Sequence, residues 1–255
     1  NVMILCNARG AKKIIFKYQT KHDILFANTS DQMVKKIIAE APSRVKCPQL
    51  AKRFQRIVDA NLGFHYRSSV ALAVGVGTHF HVPQAIMASV LRAFKGLPGR
   101  QEFVGRIKGV SFINDTTATI PDASIVAIRR FRLLAKKSFL ILIAGGSDKQ
   151  LKFSKMAQTI TTFVDHLILL PGTATDQLLG EIMKKRKSKK IRTLQKAESM
   201  QQAVHMAYAQ AKKGDYIVLS PGGASFGLFA NEFDRGDQFV AGVKSLKSVI
   251  ARKVH

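Results

Sequence analysis

Four segments of this sequence combine small residues, hydroxyls and charges in patterns suited to holding anionic ligands. The first, Asn114-Asp115-Thr116-Thr117-Ala118-Thr119, sets a carboxylate and three hydroxyls just ahead of Pro121, a residue that suits the first turn of a helix. Unpaired N–H groups at such a helix start attract anions. A plain helix cap made by Thr119 explains the same residues without any ligand. The second, Gly145-Gly146-Ser147-Asp148-Lys149, lets backbone approach a ligand while Lys149 aims a charge at it, although a glycine turn with an exposed lysine is common. The third, Leu219-Ser220-Pro221-Gly222-Gly223-Ala224-Ser225-Phe226, makes a tight loop in which Ser225 can donate to a carboxylate, and it runs on into a polar stretch at 231–237. The fourth, Gly96-Leu97-Pro98-Gly99-Arg100, presents one arginine in a turn where two domains meet, a common place for phosphate contacts. Singly, each fits ordinary loop chemistry. His65, His79 and His81 have no carboxylate or cysteine at ligand spacing, so they read as core or surface histidines.

The elements that must position these loops alternate in kind from Gly109 onward. Short apolar or β-branched runs at 110–114, 139–144, 166–170, 191–194 and 216–219 read as strands. Amphipathic helical patterns fall between them at 122–131, 153–163, 175–185 and 199–211, and a last helix spans 237–253. That order predicts an α/β fold with a parallel, Rossmann-like sheet. Ligands bind at the carboxyl ends of such strands, which is where the first three segments lie. Asp115, Lys149 and Ser225 are therefore expected on one rim, facing a cleft beside Arg100. Before Gly109 the pattern changes to helices at 31–40, 68–76 and 83–94 with a short strand at 24–27. The turn-rich segment 95–99 divides the chain into domains 1–97 and 98–255.

With 255 residues and 46% hydrophobic content the chain can bury one large core or two moderate ones. No apolar run approaches the roughly 20 residues of a membrane span, and no secretory leader is visible, so a cytoplasmic protein with no membrane partner is expected. Cys6 and Cys47 lie far apart, which suggests neither a disulfide framework nor zinc. The net charge of +25 points toward a polyanion. Its densest run, from Lys184 to Arg192, contains no aromatic residue and the chain has no tryptophan. RNA-binding sheets interleave aromatics with cations, so that run reads as a solvated loop, and nucleic acid is not the expected partner.

Taken in order and spacing, the loops resemble the C-terminal domain of the Mur ligases, and within that family the branch that adds D-glutamate. The resemblance rests on Asn114 to Thr119, on Gly145-Gly146-x-x-Lys149, on Leu219-Ser220-Pro221-x-x-Ala224-Ser225, and on Arg235-Gly236-Asp237-Gln238-Phe239. It implies a Rossmann-like C-terminal domain with a parallel-rich sheet, preceded by a truncated part of an α/β ATPase domain. The implied activity is ATP-dependent ligation through an acyl phosphate, with UDP-N-acetylmuramoyl-L-alanine and D-glutamate as substrates, in peptidoglycan precursor synthesis by a monomer. ATP and magnesium are the implied cofactors. By the match of motifs, Arg100 and Asp115 contact ATP, as do His65 and Ser69 within Gly63-Phe64-His65-Tyr66-Arg67-Ser68-Ser69, where both asparagines of the family motif are replaced. Thr119, Lys149, Ser225 and Phe233 match D-glutamate-binding positions, with Lys149 in the catalytic role. Ala11-Lys12-Lys13-Ile14-Ile15-Phe16 makes Lys12 the counterpart of a carbamylated lysine that supports magnesium. The family's P-loop, Gly-x-x-Gly-Lys-(Ser/Thr), does not occur in these 255 residues. Together with the opening at Asn1, that leads to the expectation of an inactive fragment. The alternatives are a catalytically dead binding module and a basic nucleic-acid-binding α/β protein.

Overall fold

A computed structural model describes the backbone of residues 2–5 and, with side chains, residues 14–185 and 191–252. The chain divides into two compact units, Asn1–Lys95 and Gly96–His255.

In the first unit, strands β1 (Val2–Leu5), β2 (Ile24–Ala27) and β3 (Arg44–Lys46) form a parallel sheet in that order. Helix α1 (Gln32–Ile38) starts where Asp31 accepts from the amides of Met33 and Val34, and buries Val34, Ile37 and Ile38 against Leu25 and Ala27. Helices α2 (Lys52–Asn61), α3 (Arg67–His79) and α4 (Gln84–Ala93) enclose Phe54, Val58, Val70 and Ala88. Sequence reading missed α2. Its apolar stripe is only Phe54, Ile57 and Val58 among charged residues, although the i, i+3, i+4 spacing is helical.

The second unit holds, among the described residues, a six-stranded sheet in the order β4-β5-β9-β6-β7-β8. These strands are Glu102–Ile107, Val110–Asn114, Tyr216–Gly222, Leu140–Gly145, His166–Leu170 and Thr193–Lys196 respectively. All neighbours pair in parallel except β4, which runs antiparallel to β5 across a two-residue turn. Lys108 and Gly109 both take positive φ there, the conformation that closes tight hairpins. The expected α/β fold with a parallel-rich sheet is what the chain adopts. Strand β4 was missed because Glu102, Gly105 and Arg106 break its alternation, and β8 lies two residues later than the apolar run suggested.

Side chains alternate across each central strand. Leu140, Leu142 and Ala144 face one side with α5 (Pro121–Ala135), α6 (Ser154–Phe163) and α7 (Thr173–Lys184). Ile141 and Ile143 face the other with α8 (Met200–Ala209) and α9 (Glu232–Arg252). The chain steps outward from β5 through β6 and β7 to β8, then returns along α8 to insert β9 between β5 and β6. That insertion makes neighbours of three loops that are remote in sequence.

Candidate functional site

The loops following β5, β9 and β6 are joined by backbone hydrogen bonds. Asp115 N donates to Leu219 O at 2.8 Å and Gly222 N to Ala118 O at 2.8 Å. Ser147 and Ala224 exchange N–H···O bonds, each of 2.9 Å, and the Ser147 hydroxyl donates to Phe226 O. Gly146 has to be glycine: its φ is +125° and an added Cβ would lie 2.2 Å from Ala224 O.

Arg235, in the first turns of α9, is fully buried and ties the loop after β5 to the loop after β9. Its Nε donates to Thr116 Oγ1 (3.1 Å), Nη2 to Thr116 O (2.7 Å) and Nη1 to Gly223 O (3.0 Å). Burial holds its pKa down at about 10, with Glu232 opposing. Thr116 Oγ1 in turn donates to Glu232 O at 2.6 Å, which sets α9 against the first loop. Next to Arg235, an added Cβ at Gly236 would lie 2.7 Å from Thr116 Cγ2, so helix and loop meet at backbone distance.

Asp115 is 3% exposed at the end of β5. Its Oδ1 accepts from Gln101 N (3.1 Å) and its Oδ2 from Ser220 Oγ (2.7 Å), while Ser124 Oγ donates to Ser220 O (3.0 Å). Burial pushes the Asp115 carboxyl up to about 7. The Ser220 hydroxyl, the Gln101 amide and the charges of Arg100 and Arg130 pull the other way. A carboxyl titrating near neutrality can donate or accept a hydrogen bond at this rim.

The structure brings together Arg100, Asp115, Thr119, Lys149 and Ser225 on the carboxyl rim of one sheet. Arg100 is exposed in a turn closed by its own amide on Leu97 O. That turn is held by Thr117, whose amide and hydroxyl both donate to Gly99 O. Thr119 is half-buried and does not cap α5: the N-cap is Ile120, without a side-chain bond, and Pro121 opens the helix. The cap explanation offered for Thr119 is thereby removed. Lys149 is exposed, with its ammonium 5.7 Å from the centre of the Phe226 ring. Ser225 is buried, and its carbonyl accepts from Phe229 N. Phe233 is 63% exposed in the first turn of α9, where its amide donates to Asn231 Oδ1.

His65 and Ser69 belong to the first unit. His65 lies in the short turn Phe64–Tyr66, its ring 4.4 Å from that of Tyr66, and Ser69 is exposed on α3. Lys12, Cys6 and the basic residues 186–190 lie outside the described residues. Cys47 is a free, exposed thiol. Among the described residues no three His, Cys, Asp or Glu side chains gather as metal ligands, and no helix is long and apolar enough to cross a membrane.

Sequence reading did not anticipate the parts played by Arg235, Gln101, Ser124, Ser220 and Phe226. Arg235 sits beside Gly236 in the polar stretch at 231–237. Ser124 and Ser220 carry no spacing signal, because they meet only once β9 is inserted.

Residues 99–223 match the family model described as Mur ligase, glutamate ligase domain. A UDP-N-acetylmuramoylalanine–D-glutamate ligase from Roseiflexus sp. is 37% identical over 177 residues, covering 69% of this chain and 36% of that protein. Its counterpart from Clostridioides difficile is 29% identical over 259 residues, covering 93% of this chain and 55% of that protein. The chain thus spans about half or less of the length of these curated relatives. The crystal structure of MurF ligase from Thermotoga maritima in complex with ADP superposes with a TM-score of 0.61 at 15% identity, covering 92% of this chain and 57% of that one. The matched domain, the relatives and the shared fold agree: the chain belongs to the Mur ligase family.

Proposed function

We propose that this chain carries the amino-acid-binding side of an ATP-dependent ligase that joins D-glutamate to UDP-N-acetylmuramoyl-L-alanine, in the cytoplasm and as a monomer. On this reading 98–255 is the C-terminal domain and 1–97 the C-terminal part of the central ATPase domain. The observation that supports it most is the stitching of three strand-end loops by backbone hydrogen bonds at the carboxyl end of one sheet. The names of the D-glutamate ligase relatives and the ADP bound by the Thermotoga structure support it further.

The reaction needs two carboxylates and a polyphosphate held close together, so mutual repulsion has to be offset by fixed cations and donors. Lys149, an exposed ammonium in the loop after β6, takes the D-glutamate carboxylate. Ser225 and Thr119 supply hydroxyls that orient it, and the exposed ring of Phe233 covers it. Arg100 offers a guanidinium to nucleotide phosphate, while Asp115 faces a nucleotide hydroxyl as donor or acceptor. On the first unit taken by itself, His65 and Ser69 are the candidate contacts for a nucleotide base. A bound nucleotide would supply the phosphoryl group that activates the alanine carboxylate as an acyl phosphate. The phosphate cradle is not among these residues. Magnesium finds no ligand set among the described ones, and its assignment rests on Lys12 alone.

The test is a titration of the chain with D- and L-glutamate, followed by amide chemical shifts. D-Glutamate is expected to perturb Lys149, Ser225 and Phe226 in preference to the L form, and Lys149→Ala to abolish the response with the fold intact. No response in either protein, or an equal one to both enantiomers, overturns the reading. Binding without catalysis is a second reading, favoured by the two asparagines missing from 63–69. It is distinguished by adding a P-loop-bearing relative's front half: ligation in that chimera, lost in Lys149→Ala, excludes it.

A further inference from the structure

The amino end of the second sheet, opposite the candidate site, is built from three turns that each carry lysines. They are the β4–β5 turn with Lys108, the α5–β6 turn with Lys136 and Lys137, and the turn before β9 with Lys212 and Lys213. Gly214 N donates to Gly109 O at 3.0 Å, and the Lys213 stem lies where a Cβ on Gly109 would stand, so two of the turns are locked together. Between the turns opens a groove of about 620 Å³ lined by Arg106, Leu134, Lys136, Lys137, Lys213 and Tyr216 among others, with no acidic residue on its wall among the described residues. The acids preceding strands at this end are buried and already engaged. Asp165 accepts from Arg132 (2.7 Å) and Leu140 N (2.9 Å), and Asp215 accepts from Phe139 N and Lys212 N.

Helix-dipole complementarity accounts for Arg132 and Lys136 at the C-terminus of α5. It does not account for Arg106 and Lys213 on other elements, nor for two leucines left in solvent in the last turn of α5. Leu133 is 71% and Leu134 48% exposed. Phosphates of a polynucleotide would match the cations but leave those leucines unused, and the groove's aromatic, Tyr216, is packed 5.9 Å from Phe131. Cations that line a groove together with Leu134, next in sequence to the exposed Leu133, match a bilayer interface, where charge meets headgroup phosphate and leucine reaches the acyl boundary.

We propose that this face docks peripherally on anionic phospholipid bilayers, with Arg106, Lys136, Lys137 and Lys213 on headgroup phosphates and Leu133 and Leu134 inserted. Docking needs no spanning helix, and it leaves the carboxyl rim of the sheet facing away from the lipid.

The test is flotation of the 255-residue chain with vesicles of phosphatidylcholine alone and of phosphatidylcholine containing about one-third phosphatidylglycerol, at low and physiological salt. Partitioning is expected only with the anionic vesicles. Each cation removed is expected to cost roughly fivefold, so Lys136→Gln/Lys137→Gln/Lys213→Gln should lower partitioning on the order of 100-fold. A charge-matched control far from the face, Lys152→Gln/Lys155→Gln/Lys196→Gln, should retain most of it. Leu133→Ser/Leu134→Ser should bind at low salt and release at physiological salt, since only the screened attraction remains. All variants are surface changes, checked by an unchanged melting midpoint. Equal loss in the control triple variant, binding to phosphatidylcholine alone, or retention of duplex DNA in place of vesicles would each overturn the proposal.

Discussion

Replacing Arg235 with methionine removes the side chain that joins the loop after β5 to the loop after β9, and leaves a stem of similar shape in its place. The energetic consequence can be worked from the contacts. Gly223 O and Thr116 O lose their guanidinium donors, and each buried acceptor left unpaired costs about 1–3 kcal/mol, or about 2–6 kcal/mol for the two. Against this, burial holds the guanidinium from 12.5 down to about 10, which corresponds to about 3 kcal/mol against the charged form. Because the folded-state value is the lower one, that cost is constant at neutral pH and relaxes only above about pH 10. Its removal offsets much of the loss, so Arg235→Met should destabilise the unit by no more than about 3 kcal/mol. The local effect should be larger than the global one. Hydrogen exchange at Gly222 N, which donates to Ala118 O, and at Ala224 N, which donates to Ser147 O, is expected to quicken at least about tenfold beyond the global change. Urea unfolding and amide exchange by NMR measure the two effects separately. If global stability falls while exchange at Gly222 and Ala224 follows it and nothing more, Arg235 is core filler and the argument that it holds the loops is wrong.

Asp115 predicts a pH dependence whose sign follows from its raised carboxyl. Folded Asp115 keeps its proton up to about pH 7, whereas the unfolded side chain releases it near 3.8, so its contribution to stability is whole below about 4 and declines as pH rises to 7. Asp115→Asn should remove that decline and gain about 2–4 kcal/mol relative to wild type at pH 8 compared with pH 4, read from urea midpoints at both pH values. Gly146→Ala meets both a positive φ and a carbonyl 2.2 Å away. It should cost at least about 2 kcal/mol in urea unfolding and break the Ser147–Ala224 bridge seen by amide exchange. A cost below about 0.5 kcal/mol would show that the loop yields without strain.

Much of the second unit was legible because its strands are short apolar runs and its helices carry clear stripes. The runs at 110–114 and 166–170 coincide with β5 and β7, and the strand-end loops are where the chemistry-bearing residues lie. Strand β4 and helix α2 were not legible, for a common reason. In both, water covers much of the element, and charged residues such as Arg106, Lys52 and Arg56 dilute the periodic signal that burial would otherwise impose. The site residues were read as types at loop positions, but Arg235, Ser124 and Ser220 act through partners about a hundred residues away, and local spacing holds no trace of those pairings.

The least local feature, the insertion of β9, is nevertheless written in the strands themselves. A strand in the middle of a parallel sheet is covered on both faces and must be apolar at successive positions, whereas an edge strand can carry polar residues. Ile217, Val218 and Leu219 are all buried, while Thr193, Gln195 and Lys196 of β8 are only half-buried or exposed. Sequence order alone would set β9 outside β8, four strand positions from β5. At about 4.8 Å per position the two loops would then lie roughly 19 Å apart, beyond the reach of any arginine. The three bonds from Arg235 to Thr116 and Gly223 exist because hydrophobicity assigns the last strand to the centre. It follows that weakening that assignment should dismantle the site before it unfolds the sheet. A polar residue at Val218, which packs among Leu140, Leu142 and Ile128, would put an unpaired polar group in the central strand and loosen the registration of all three loops at once.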